Sequence, residues 1–274
     1  MKRCFAALMA LFAAAAISIS AVANVEKGDA AMKDKRYREA IKQYESYLKK
    51  NPNDSAVIVK LASAYDSAKW FGQAVQWWEK YIDKFEDGKD IIKAKKAAAK
   101  DHRWIGANYY NNLGESPELA VQNLERAIEL DPKLSDSYIW LARIQLSEGR
   151  YGDAVKLLDK AKKALPDDKT IAWMYKTAKG KLDNGGSAYD KYVQGWNLYA
   201  NGDKDGALER FRAASADNPD FAAAHLWIAR ILHEKGDFEG AIPEWQAVLK
   251  LEPDNARAAW FLKNAQAAAS PKKK

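Results

Sequence analysis

The sequence predicts an all-α protein, and three observations carry that prediction. Glycine (15) and proline (8) are sparse in 274 residues. Long runs of alternating β-branched residues, which a sandwich or barrel needs, are absent. An alanine–proline spacing recurs instead: Pro52, Pro132, Pro166, Pro219 and Pro253 each follow an alanine (Ala40, Ala120, Ala154, Ala207, Ala241) by twelve residues. The composition is 48% apolar, 30% charged and 11% aromatic, which excludes a mainly disordered chain and leaves material for a sizeable core.

Residues 1–23 read as an address. Lys2 and Arg3 form a positive start, Phe5 to Ile19 an apolar stretch, and Ala21-Val22-Ala23 the small residues of a cleavage point. The apolar run is shorter than the ~20 residues of a spanning helix, so no transmembrane segment is expected after removal. A bacterial periplasmic or secreted location follows. Cys4, the single cysteine, lies inside this segment and away from the cleavage point, so lipidation, disulfides, thiol nucleophiles and thiolate metal sites are not expected.

Lys2 and Arg3 account for two of the formal +7 charges. The mild remainder is dispersed and speaks for solubility or an anionic envelope surface, not for nucleic acid. The cluster Lys89, Lys93, Lys95, Lys96 and Lys100 reads as a solvated helix face, and the basic tail 270–274 as a frayed end.

The intervals Ala40 to Ala74, Ala120 to Ala154 and Ala207 to Ala241 are each 34 residues. Counted so that the proline is position 32, unit 135–168 carries Tyr138, Leu141, Ala142, Ala154, Leu158, Ala161 and Pro166 in its pattern positions. Unit 55–88 carries Ile58, Leu61, Ala62, Tyr65, Ala74, Trp78 and Tyr81, with Glu86 in place of proline. Unit 101–134 places Trp104, Ala107, Asn108, Ala120, Leu124 and Pro132 there. Unit 222–255 places His225, Ile228, Ala229, Ala241, Trp245 and Pro253. Units 25–54 and 188–221 are looser, the latter with Lys191 where a large apolar residue belongs. The chain thus resembles the tetratricopeptide repeat family, whose unit is a 34-residue helix–turn–helix. The resemblance implies an α-solenoid of antiparallel helix pairs, each burying its second face on a neighbour. Small residues such as Ala62 and Ala74 then sit where two helices cross, and large ones fill the flanks.

Two intervals break the period. Ala74 to Ala120 is 46 residues; the extra segment, about 87–98, is rich in helix formers and predicts one long helix from about Lys89 to Asn112. Ala154 to Ala207 is 53; Thr170–Leu182 fits a lone closing helix and 184–187 a linker. Two blocks follow: four units plus the closing helix (24–183), then two units plus a capping helix (188–269). Pro117 stands where a helix begins, and Pro243 deeper in its helix, where it is expected to distort the first turn.

Catalytic patterns are absent. No phosphate loop, His-Glu-x-x-His helix or Gly-x-Ser-x-Gly elbow occurs, and Asp167-Asp168 reads as capping. His225 and His233 are eight residues apart on one helix, roughly 12 Å of rise, too far to share a metal. Neither enzyme activity, metal nor cofactor is expected.

By resemblance, the first helices of successive units line a concave groove. In the first block its positions carry a mixture: Ala56, Val59, Ser63 and Asp66, then His102, Ile105, Tyr109 and Asn112, then Asp136, Ile139 and Arg143. Some family members clamp a terminal carboxylate with a lysine and an asparagine; Val59 with Ser63, or Ile139 with Arg143, cannot do so. In the second block the positions carry Tyr189, Tyr192, Trp196 and Tyr199, then Leu226, Arg230 and His233, then Trp260, with Trp173 of the lone helix facing the same way. Aromatic anchors beside a guanidinium are the composition of interface hot spots. The expectation is an exported, non-enzymatic scaffold that holds a protein or peptide segment in cell-envelope complex assembly. A small-ligand or glycan receptor, serving a transporter, is the alternative, and self-association through the groove a third.

Overall fold

A computed structural model describes residues 23–113 and 116–270. The segment expected to be an address, apart from Ala23, and positions 271–274 of the basic tail lie outside the described residues. Fourteen α-helices and no strand are present among the described residues. They are α1 (23–33), α2 (Tyr37–Leu48), α3 (Ser55–Ser67), α4 (Phe71–Lys84), α5 (Ile91–Asn108), α6 (Pro117–Leu130) and α7 (Ser135–Ser147), followed by α8 (Tyr151–Ala164), α9 (Lys169–Asn184), α10 (Gly186–Ala200), α11 (Lys204–Asp217), α12 (Ala222–Glu234), α13 (Phe238–Leu251) and α14 (Ala256–Ala269). Two compact units divide the chain: Met1–Ile144 with Lys160–Ile171, and Gln145–Asp159 with Ala172–Lys274.

The alternation of small and large residues works as its spacing implies. Ala62, Ala74, Ala142, Ala154, Ala229 and Ala241 are fully buried. At Gly195, paired with Ala207, a Cβ would stand 2.9 Å from the Phe211 ring, so only glycine lets α10 and α11 approach this closely. Large residues fill the flanks: Trp78, Leu124, Leu158, Phe211 and Trp245 occupy the same place in successive units, and each is at most 2% exposed. Helix starts are fixed by side chains that accept from the first turn, Asp54 from Val57 N, Asp203 from Gly206 N, Asp237 from Gly240 N and Asn255 from Ala258 N. Asp168 likewise accepts from Thr170 N and Ile171 N. Five of the turns inside the repeats take a positive φ. Gly149, Gly202 and Gly236 supply it, whereas Lys35 (+58°) and Lys69 (+65°) hold it in repeats 25–54 and 55–88.

The first unit departs from the expected register. The long helix α5 ends at Asn108 and passes into a π turn, Tyr109–Leu113. His102, expected on the groove, instead takes a packing place. Its Nδ1 lies 2.8 Å from Asn123 Oδ1 and its Nε2 2.9 Å from Glu79 Oε1. This repeats the geometry of His225 with Glu244, and Asn123 and Glu244 each stand three residues beyond their crossing alanine. The small residue facing Ala120 is Gly106, not Asn108: a Cβ there would lie 3.0 Å from the Ala120 carbonyl oxygen and 2.7 Å from Leu124 Cγ. Trp104, expected in the core, is 42% exposed. The first helix of repeat 101–134 is therefore two residues earlier than the pattern counted from its second helix. Asp101 consequently fills the slot held by Val57, Ser137 and Ala224 elsewhere, and is 3% exposed.

In the second unit the expected linker 184–187 is helix except at Gly185, whose φ of +82° turns α9 directly into α10. Asn218 Nδ2 donates to the Asn184 carbonyl at 3.0 Å, and Gly180 lies against the Tyr189 ring so closely that a Cβ would overlap it. Lys191 is tolerated because its ammonium reaches Asp217 at 2.6 Å. Pro243 lies inside α13, which runs on through it.

Candidate functional site

The nine residues singled out by the sequence all lie in the second unit, but they do different work there. Trp173, Trp196 and Trp260 are 65%, 49% and 60% exposed. Trp260 stands edge-on to Phe261 at 4.9 Å, whereas Trp173 and Trp196 make no ring contact among the described residues. The tyrosines, by contrast, are partly buried in packing. Tyr192 lies between Phe221 (5.0 Å) and Phe211 (5.7 Å), with Tyr189 at 6.1 Å. Tyr199 meets the Trp227 ring at 4.8 Å, and Trp227 stacks on Phe211. Leu226 is half-buried against the same cluster. His233 is held edge-on between Phe238 and Phe261 at about 5 Å, a packing histidine rather than a ligand.

Arg230 is built into a polar knot. Its guanidinium lies over Trp227 (4.9 Å) and Tyr199 (5.4 Å), and Nε donates to Glu234 at 2.9 Å. Glu234 also accepts from the Tyr199 hydroxyl at 2.7 Å and pairs with Lys204 at 2.9 Å. Burial pushes the Glu234 carboxyl up, but Lys204, Tyr199 and Arg230 together outweigh it and hold the group at about 2. The knot is thus charged throughout the physiological range, and it fixes this part of the α12 surface. Glu234 was legible as the residue one turn beyond Arg230; Lys204, on a neighbouring helix, was not.

Two recesses, lined by residues between Asp29 and Trp104, lie in the first unit, and none of the nine residues lines either. Among the described residues no three His, Cys, Asp or Glu side chains gather as a metal site, and no helix is long and apolar enough to cross a membrane.

Stacked helix pairs of this kind define an α-helical repeat protein. Family models described as tetratricopeptide repeat match residues 25–89, 115–178, 192–256 and 234–269, and the chain belongs to the tetratricopeptide repeat family. Such proteins are in general non-catalytic scaffolds that bind protein or peptide partners. A relative, the TPR repeat-containing protein YpiA of Bacillus subtilis (strain 168), is 22% identical over 237 residues; the match covers 84% of this chain and 47% of that protein, so the chain spans about half its length. Among solved structures, a tetratricopeptide repeat protein from Parabacteroides merdae ATCC 43184 is similar at 14% identity and a TM-score of 0.40, with 90% of this chain and 99% of that one covered. YrrB, described as a TPR protein with an unusual peptide-binding site, is similar at 17% identity and a TM-score of 0.31, with 80% and 97% covered.

Proposed function

We propose that the protein is an exported, non-enzymatic scaffold of the bacterial cell envelope that holds a protein or peptide segment on the exposed indoles of its second unit and so helps assemble envelope complexes. The observation that carries this reading is the exposure of Trp173, Trp196 and Trp260 in a repeat whose other large apolar side chains are mostly packed away. Rigid aromatic anchors gain contact area at little entropic cost, which is why tryptophan and arginine dominate interface energetics. Export is supported by Lys2, Arg3 and the apolar stretch that follows. A polypeptide is favoured over an enclosed small ligand because Trp196, Arg230 and Trp260 line neither recess.

Capture of envelope polypeptides by the immobilised mature chain tests the reading. Trp196→Ala, Trp173→Ala and Trp260→Ala are the informative variants, since their side chains are exposed and their loss leaves the core intact. Tyr192→Ala is not, because Tyr192 packs on Phe211 and Phe221. At least one of the three is expected to weaken capture roughly ten- to several-hundred-fold, or about 1–4 kcal/mol. Capture unchanged in all three overturns the assignment, and capture only of the chain itself, with sedimentation that depends on concentration, replaces it with self-association.

A further inference from the structure

We infer that the recess built by the helical insertion of the first unit is a second binding site, one that takes an acidic peptide segment carrying an apolar side chain. The recess has a volume of about 840 Å³ and lies among the end of α3, the start of α4 and α5. Five cations face it: Lys69, Lys93, Lys96, Lys100 and Arg103. Lys93 and Lys96 belong to the twelve residues that interrupt the repeat period, so the insertion adds charge and depth that an ordinary unit lacks. Lys93, Lys96 and Lys100 make no ion pair or hydrogen bond among the described residues, unlike Lys181, Lys191 and Lys204, which pair with nearby carboxylates. A solvated helix face, the reading the sequence favours, leaves such lysines pointing apart; here they border one concavity.

The floor carries the second observation. Asp101 is 3% exposed and lines the recess, and its carboxyl meets the Trp78 indole N–H without Oδ2 reaching good hydrogen-bond geometry. Arg103 lines it too, and its buried Nε lacks a partner. Buried polar atoms are nearly always satisfied, so an under-satisfied acceptor and an unpaired donor in one cavity point to a ligand that brings both an N–H and an oxygen. A peptide does so. An apolar wall is ready beside them: the Phe71 and Trp104 rings are 4.4 Å apart, and Trp104 stands 42% exposed. The concavity suits a side chain better than a membrane plane. This site is separate from the indoles of the second unit and does not depend on them.

Fluorescence anisotropy with the mature chain tests the inference, the probe being a labelled ten-residue peptide of glutamates around one phenylalanine. The probe is expected to bind with micromolar affinity at low salt and to weaken as salt rises. Lys96→Glu with Lys100→Glu, both at exposed positions that preserve the fold, is expected to reduce affinity at least tenfold, as is Trp104→Ala, while Trp196→Ala leaves it unchanged. Binding that survives the charge reversal overturns the inference. So does tighter binding to a single-stranded oligonucleotide of equal charge, or to phosphatidylglycerol vesicles.

Discussion

Replacing Trp78 with alanine is expected to lower the stability of the first unit by about 3–5 kcal/mol, measured by chemical denaturation followed by circular dichroism. The indole is 1% exposed and belongs to the core that also holds Tyr44, Tyr81, Ile58 and Leu61. It fills the place taken by Leu124, Phe211 and Trp245 in other units, next to the point where Ala62 and Ala74 let two helices close up. A repeat cannot collapse around such a void, because its neighbours hold it at fixed spacing and each unit depends on the next. Trp78→Phe keeps a ring in this place and removes only some volume and the Nε1–H that meets Asp101, and is expected to cost far less. Equal losses in the two variants would mean that ring volume is not what this position supplies.

Asp101→Asn is expected to change how stability depends on pH, by an amount of the order of a few kcal/mol across the range. Burial, reinforced by the charge of Asp66, pushes the Asp101 carboxyl up to about 8, against the opposing pull of Lys69, the Trp78 indole N–H and Lys100. The folded chain therefore keeps a proton that the unfolded chain gives up near pH 4. Stability from this group is fully present below that pH and is lost as pH rises toward 8. The asparagine variant carries no such loss, so its stability relative to the parent should climb between pH 5 and pH 8.5. A difference that stays flat over that interval would show that Asp101 is ionised in the fold and that its cavity is wetter than its burial implies.

The periodicity of alanines and prolines was enough to locate the helix pairs, because those residues sit at helix crossings and helix ends, where geometry permits few substitutes. It located second helices better than first ones. The third unit's first helix is tied to the pattern only through Gly106 and His102, and the π turn at Tyr109–Leu113 absorbs two residues that no local motif announces. That slip hid Asp101 in a core slot and exposed Trp104. The short link at Gly185 was misread as a longer one because Asn184, Gly186 and Ser187 favour turns, while the Asn218 hydrogen bond and the Gly180–Tyr189 contact that keep them helical come from distant sequence. Within the aromatic stripe, spacing alone cannot tell a ring that packs from one that waits: Tyr192 and Tyr199 found partners on Phe211, Phe221 and Trp227, and Trp196 found no ring partner among the described residues.

The most direct test places a photoreactive benzoylphenylalanine at single positions of the mature chain and maps adducts with envelope polypeptides by mass spectrometry. Positions 196 and 260 carry the exposed indoles, and Glu209 is an exposed residue of α11 outside the stripe. Adducts at 196 and 260, with none at 209, are the result expected of a scaffold that grips its partner through these rings. Adducts at 209 as abundant as those at 196, or none at 196, would contradict it.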